Sequence, residues 1–316
     1  MRPLDNDDFP PFTVDVPDGG YCWWYVDAIS EDEAHAITLI GFIGSVFSPY
    51  YARARGSGAA DPLEHCSLNC ALYGRPGGWA MTERRSGSVE RAAERLRIGP
   101  SSLQWTGSTL DIHVHERMMP LPRAMHGRVR VRPRVRTRRR FELDAAGRHQ
   151  WWPVAPVADV EVTFTAPRLT WRGSGYFDFN RGSEPLAAAC RSWHWSRLHA
   201  GSEAGIVYEA SRCDGSEHCL ALSIDAAGRV SEREPPPPRV TLPLTRWRVP
   251  RETRAEDARA RLHRTLEDTP FYSRSLIHGR HGGRDLVGVH ESLSMDRFTA
   301  PWVQLLLPFR MPRSPR

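Results

Sequence analysis

Gly173-Ser174-Gly175-Tyr176-Phe177-Asp178-Phe179-Asn180-Arg181-Gly182 sets an alternating aromatic core between turn-forming residues. Three glycines and an Asn bracket Tyr-Phe-Asp-Phe, the pattern of a short β-strand with turn signals at both ends. In extended backbone residues i and i+2 share a face about 6.5–7 Å apart, so Tyr176 and Asp178 point one way and Phe177 and Phe179 the other. One face is aromatic only, and the other carries a phenol beside a carboxyl. Upstream, His149-Gln150-Trp151 repeats the device with an imidazole and an indole at i and i+2.

Working outward, the chain offers many short strands: Tyr21 to Ala28, Ala36 to Phe47, Cys66 to Tyr73, Trp79 to Glu83, Ser101 to Trp105, Thr109 to Glu116, Val160 to Thr165, Ser192 to Arg197, Ala204 to Ser211, Cys219 to Ile224, Leu286 to Glu291 and Val303 to Phe309. The first two are expected to pair as a hairpin. Helical patterning is confined to Ser86–Arg97, with a Ser N-cap candidate, and to Arg254–Thr265, where Leu262 and Leu266 stand at i and i+4. The fold expected is all-β, antiparallel barrels or sandwiches with few short helices. Two successive strand sets imply a lead-in at 1–19 and two similar domains, 20–160 and 161–316. His65-Cys66-x3-Cys70 and Cys213-x4-His218-Cys219 lack paired C-x2-C spacing, and no structural metal is expected. His113 and His115 alternate as on a solvated or core strand face rather than as a ligand pair.

The composition is that of a soluble globular chain, with 316 residues, 40% hydrophobic and 25% charged. The basic residues are all Arg, and 11 Trp suggest a cavity for a bulky apolar ligand. Net charge is +6 and pI about 9.2, which points to an anionic neighbour. Nine Arg fall between Arg123 and Arg140, and the Val/Arg alternation of Arg128 to Arg136 places guanidiniums on one strand face. That ribbon reads either as a solvated face or as an anion-binding one, for which phospholipid headgroups are suited. Nucleic acid is not expected, since no nucleic-acid fold signature accompanies the charge. The N-terminus lacks a basic-then-apolar export pattern, and the run from Ala36 to Phe47 is too short to cross a bilayer. Membrane contact, if it occurs, is expected to be peripheral.

Tyr21-Cys-Trp-Trp-Tyr-Val-Asp-Ala28, Gly44-Ser-Val-Phe-Ser-Pro-Tyr-Tyr51, Gly175-Tyr-Phe-Asp178 with Glu184-Pro185, Leu266-Glu-Asp-Thr-Pro-Phe-Tyr-Ser-Arg274 and Val289-His-Glu-Ser292 resemble the bacterial carotenoid 1,2-hydratases (hydroxyneurosporene synthases) over nearly the whole chain. The resemblance implies two lipocalin-like β-domains and cofactor-free addition of water across the terminal double bond of an acyclic carotene such as neurosporene or lycopene. The product is a tertiary alcohol on the way to spheroidene- or spirilloxanthin-type pigments. It implies His149, Trp151, Tyr176 and Asp178 as catalytic positions and Trp24, His194 and Trp195 as substrate contacts. It also implies a peripheral location on the cytoplasmic face of a bacterial inner or photosynthetic membrane. Trp193-His194-Trp195 departs from the family form, which carries Asp between the two Trp.

The chemistry accounts for these residue types. Hydration of a trisubstituted alkene starts with protonation of the less substituted carbon, leaving a tertiary cation for water to capture. An Asp in a dry aromatic pocket can hold its proton, because burial raises a carboxyl pKa by up to about 3–5 units. Trp151 and Tyr176 can stabilise the cation through their ring faces. His149 can take the proton of the attacking water or hydrogen-bond Asp178. Rival readings are a non-catalytic carrier, a terpenoid cyclase or pericyclase-like enzyme on the same fold, and an Arg-rich nucleic-acid binder.

Overall fold

The computed structural model describes residues 8–58 and 60–314. Its strands are β1 (Tyr21–Ser30), β2 (Ala36–Ile43), β3 (Cys66–Tyr73), β4 (Gly78–Arg84), β5 (Val89–Ala92), β6 (Arg95–Ile98), β7 (Ser101–Trp105), β8 (Leu110–Arg117), β9 (Ala124–Val135), β10 (Phe141–Glu142), β11 (His149–Ala166), β12 (Arg168–Gly182), β13 (Cys190–Ala200), β14 (Glu203–Arg212), β15 (Glu217–Ile224), β16 (Val230–Glu232), β17 (Arg239–Leu242), β18 (Arg251–Arg254), β19 (Arg261–Asp268), β20 (Tyr272–His281) and β21 (Arg284–Ser294). The helices α1 (Pro49–Gly56), α2 (Leu186–Ala189), α3 (Met295–Phe298) and α4 (Pro301–Arg310) are short. The all-β expectation holds.

Contacts divide the chain into Met1–Pro185 with Leu305–Arg316, and Leu186–Gln304. The expected cut at 160/161 falls inside β11, which is paired to β9 and β12 on either side of that point. Continuous ladder bonding keeps residues 149–182 in one unit, and the division comes after Pro185.

In the first unit one antiparallel sheet runs β4-β3-β2-β1-β12-β11-β9-β8-β7-β6-β5. It curls until β4 reaches β8. Met119 N donates to Trp79 O at 3.0 Å there, and Arg84 Nη2 meets Glu116 Oε2 at 2.7 Å. Closing eight strands in this way leaves an interior that side chains fill. Trp24, Val26, Leu39, Leu68, Leu103, Val129, Trp152, Phe177 and Phe179 are among those that fill it. The free edge of β4 is covered by the C-terminal tail, with Glu83 N donating to Pro312 O and Ser314 N to Glu83 O.

Three expectations fail. Ser86–Arg97 is the β5–β6 hairpin, in which Val89 opposes Ile98 and Arg91 opposes Leu96. Leu96 and Ile98 are fully buried at a spacing of two, so core packing overrides helix propensity. Arg254–Thr265 is the end of β18, a single 3-10 turn and the start of β19. Val303–Phe309 is helical, lying within α4.

The Arg ribbon is β9, and its charge is largely met within the sheet. Asp111 on β8 and Glu161 on β11 stand opposite Arg130. Arg128 reaches Asp111 at 2.9 Å, Arg132 reaches Glu161 at 3.1 Å, Arg134 lies 3.8 Å from Asp159, and Arg138 reaches Asp8 at 2.7 Å. Arg139 and Arg140 lie over the rings of Phe141 and Trp152.

In the second unit the antiparallel order is β16-β15-β14-β13-β21-β20-β19. The β17–β18 hairpin covers one face, through Ser196 Oγ to Thr253 Oγ1 at 2.9 Å, His290 Nε2 to Glu252 O at 2.8 Å and Arg251 Nη1 to Ser275 Oγ at 3.1 Å. Burial pushes His290 down to about 3, so its ring is neutral and can donate to that carbonyl.

The β4–β8 closure is testable through Arg84. Glu116 is buried, accepts from Arg84 and from Ser101 Oγ at 2.7 Å, and desolvation holds its carboxyl above the usual range. Such a raised value contributes stability that is complete below the unfolded carboxylate range and is lost as pH rises through the folded value. Arg84→Met removes the charge that pulls the value down. The variant is expected to lose about 3–5 kcal/mol at neutral pH, and the deficit should narrow toward acid; a midpoint of thermal unfolding that is unchanged at pH 7 would contradict this.

Candidate functional site

The site grows from one register. Along β1 and β12 the opposed pairs are Tyr21 with Gly182, Trp23 with Asn180, Tyr25 with Asp178 and Asp27 with Tyr176. Opposed residues of an antiparallel pair share a face, so these side chains stand together on the face turned away from the interior. On β11, Trp151 opposes Asn180 and His149 opposes Gly182. The same face therefore carries all four positions singled out in the sequence.

Three of the four meet. Trp151 Nε1 and Tyr176 OH each donate to Asp178 Oδ2 at 2.9 Å, and Asn180 Nδ2 donates to Oδ1 at 2.9 Å. Asp178 is 5% exposed, Trp151 1% and Tyr176 0%. Burial, reinforced by the Asp178 and Asp27 carboxylates, holds the Tyr176 hydroxyl well above the usual phenol range, so it remains a donor.

His149 stands apart. It lies level with Gly182, four residues from Asp178, and about 13 Å of strand separates the two levels. That distance excludes the direct His149–Asp178 hydrogen bond. Its Nδ1 instead lies 2.8 Å from Tyr21 OH and its Nε2 3.4 Å from Glu184 Oε1, while its backbone N–H donates to Asp144. Burial lowers its pKa, against the opposing pull of Glu184 and Asp144, so the ring is neutral at neutral pH. Gly182 makes room for this arrangement, since a Cβ there would sit 2.7 Å from His149 Nδ1 and 2.5 Å from the Tyr21 ring.

Between the two levels runs a row of rings. Tyr21 stacks on Trp23 at 4.9 Å, Trp23 meets Phe42 at 5.9 Å, Phe141 meets Trp151 at 5.5 Å and Tyr25 meets Tyr176 edge-on at 6.1 Å. These ring contacts surround the acid with apolar, aromatic side chains.

Of the substrate contacts expected elsewhere, Trp24 does not join this group. Trp24 lies on the opposite face, packed on Phe12 and Phe179, and its Nε1 donates to Pro10 O at 2.9 Å. Odd and even positions of a strand point apart, and Trp24 follows Trp23. His194 and Trp195 belong to Leu186–Gln304. Being adjacent on β13, they face opposite ways, and His194 Nδ1 is engaged by Ser292 Oγ at 2.8 Å. The cleft lined by Leu198, Arg254, Glu256 and His281 also lies in that unit and includes none of the Asp178 group.

Sequence reasoning passed over Tyr25, Asp27 and Asn180. Tyr25 OH donates to Asp27 Oδ2 at 2.9 Å, the same bond that Tyr176 makes to Asp178. Tyr25-x-Asp27 and Tyr176-x-Asp178 thus form two antiparallel copies of one motif, each Tyr opposite the other's Asp. The repeat was visible in the sequence, but only the register shows that the copies adjoin.

The carotenoid hydratase CrtC family model matches residues 39–316. An acyclic carotenoid 1,2-hydratase of Thiocapsa roseopersicina is 51% identical over 307 residues, covering 96% of this chain and 76% of that protein. Its counterparts in Rubrivivax gelatinosus and Cereibacter sphaeroides are 44% identical over 309 residues (96% and 76% covered) and 40% identical over 279 residues (88% and 98% covered). Among solved structures, a Nitrosomonas europaea protein described as a candidate AttH aligns with TM-score 0.58 at 13% identity, covering 86% of this chain and 92% of its own. Kievitone hydratase from Nectria haematococca aligns with 0.52 at 11%, covering 91% and 98%. These two likenesses concern the fold alone. With a family match that begins within β2 and relatives at 40% identity or more along most of its length, the chain belongs to the carotenoid hydratase family.

Proposed function

We propose that this protein adds water to the terminal 1,2 double bond of an acyclic carotene of the neurosporene or lycopene type, with Asp178 as the proton donor. The observation that carries the assignment is the buried carboxyl of Asp178 among Trp151, Tyr176 and Asn180 on a face of rings. The proton passes to C2 of the alkene, and the tertiary cation at C1 is stabilised by aromatic faces, each contributing roughly 0.5–2 kcal/mol or more when desolvated. Water bonds to C1, and the proton it sheds returns to the Asp178 carboxylate. Atoms balance with water as the sole co-reactant.

The hydrogen bonds support one placement of the acidic proton. Two donors occupy Oδ2, whereas the amide of Asn180 can turn its oxygen toward a protonated Oδ1. Asp27 keeps that proton in place. It lies on a diagonal from Asp178, a spacing of roughly 7–8 Å, and two anions on one dry face are costly. His149 serves as a positioning residue that fixes Tyr21 at the far end of the row. Peripheral association with the bilayer that dissolves the carotene belongs to the same reading; among the described residues no helix is long and apolar enough to cross a membrane.

Lycopene and neurosporene supplied in a heterologous host are expected to gain one water by mass, and Asp178→Asn is expected to abolish the product; a variant that still hydrates would remove Asp178 from the role of acid. Asp27→Asn should remain active while its alkaline limb of kcat against pH moves down by on the order of one unit, because the neighbouring charge no longer holds the proton. On the acid side, activity should fall below the ordinary imidazole range as His149 gains a proton. Glu184→Gln removes a partner that favours the imidazolium, so that limb should shift to still lower pH; an upward shift would contradict the assignment.

A further inference from the structure

Helix α4 has two apolar faces, and only one is packed. Val303 and Leu307, at i and i+4, are 1% and 8% exposed, and Met311 beyond the helix is 4% exposed. Trp302, Leu305, Leu306 and Phe309 follow the spacing i, i+3, i+4, i+7 and are 49%, 73%, 50% and 71% exposed. They form a single stripe along about two turns. Trp247, 48% exposed, lies against Trp302 with ring centroids 6.2 Å apart, and Leu244 stands close by in sequence at 54%. Arg297 holds that loop in place by donating to Trp247 O at 2.7 Å and to Arg248 O at 3.0 Å. The seven large apolar side chains that are exposed among the described residues comprise these six and Leu121. Their clustering is therefore a property of this surface.

The chemistry around the stripe is basic. Arg246 and Arg248 are exposed and make no ion pair among the described residues. Arg297 and Arg310 lie before and at the end of the helix, with no Asp or Glu between them, while Arg313 beyond it pairs with Glu83 at 3.2 Å. Trp, Leu and Phe on one side with Arg at the margins is the composition of a helix that lies in the headgroup region of a bilayer. Indole rings favour that depth, and Arg pairs with anionic phosphates.

We infer that α4, with the 244–248 loop, is the surface by which the protein docks on an anionic phospholipid bilayer. The docking itself stands on exposure and charge; its purpose, access to a bilayer-dissolved polyene, rests on the function proposed above. The β9 ribbon, with its guanidiniums already held by Asp111, Asp159 and Glu161, is not the contact.

The test is flotation of the full chain with vesicles, first without substrate. The wild type should float with an equimolar phosphatidylglycerol and phosphatidylcholine mixture, less with phosphatidylcholine alone, and less at high salt. Leu305→Ser with Phe309→Ser should reduce flotation by about tenfold or more. Both side chains are exposed, so the fold should survive, as an unchanged thermal midpoint would verify. Arg128→Gln with Arg132→Gln should float as the wild type does. Two activity assays follow: the double serine variant should match the wild type on detergent-dispersed carotene and lose about tenfold on carotene dissolved in vesicles. A wild type that does not float, a serine variant that floats equally, or a wild-type dimer that the serine substitutions split while vesicle binding persists, would each overturn the inference. A wild type that floats yet hydrates nothing in detergent would remove the proposed function and leave the docking surface standing.

Discussion

The antiparallel register between β1 and β12 is the constraint from which the site follows. A slip of one residue would send Tyr25 and Asp27 into the barrel interior and bring Trp24 and Val26 out beside Asp178. The interior prevents that slip, because Trp24, Val26, Phe177 and Phe179 are all packed there. Core packing on one face thus fixes the chemistry on the other. The glycines of β12 act in the same sense, since Gly182 admits the His149 and Tyr21 rings where any larger residue would displace them.

The placement of Asp178 poses an energetic question that the fold answers with geometry. Three donors around a carboxyl favour its anion, whereas burial and a neighbouring carboxylate favour the acid. A site built for a permanent carboxylate would use charged donors, whereas the indole of Trp151, the phenol of Tyr176 and the amide of Asn180 are neutral. Neutral donors orient the group without holding the charge strongly. Tyr176 itself is kept protonated by burial and by the two Asp, so it cannot serve as the competing acid.

Strand content and the aromatic–carboxyl alternation were legible because both have a period of two. β3 and β7 fall on the residues expected, and the pairing of β1 with β2 follows from the short link between them. Two of the failures share a cause. Leu262 and Leu266 are four apart, a spacing that is a multiple of two and close to one helical turn, so the pair cannot distinguish strand from helix. The apolar run around Leu305 to Leu307 was ambiguous in the same way, and the alternation of buried Val303 and Leu307 with exposed Leu305 and Leu306 resolves it only in the structure. In the site, Asp178, Tyr176 and Trp151 were readable as strand neighbours. Asp27 was not, because its relation to Asp178 spans 151 positions and depends on pairing.

Charge shows the same divide between local and distant neighbours. Arg128 to Arg140 forms the densest basic run in the sequence, yet the acids that answer it lie on β8 and β11 and near the N-terminus. A strand's neighbours are distant in sequence, so a linear run of charge on a strand says little about the field above it. The segment after Asp296 carries no acid of its own, yet its basic groups also find partners distant in sequence. Arg313 pairs with Glu83 at 3.2 Å and lies over Tyr50, and Arg310 lies over Trp79. The outward stripe of α4 is different, because Leu305 and Phe309 are 73% and 71% exposed, so an apolar surface persists where a linear reading places one more buried strand.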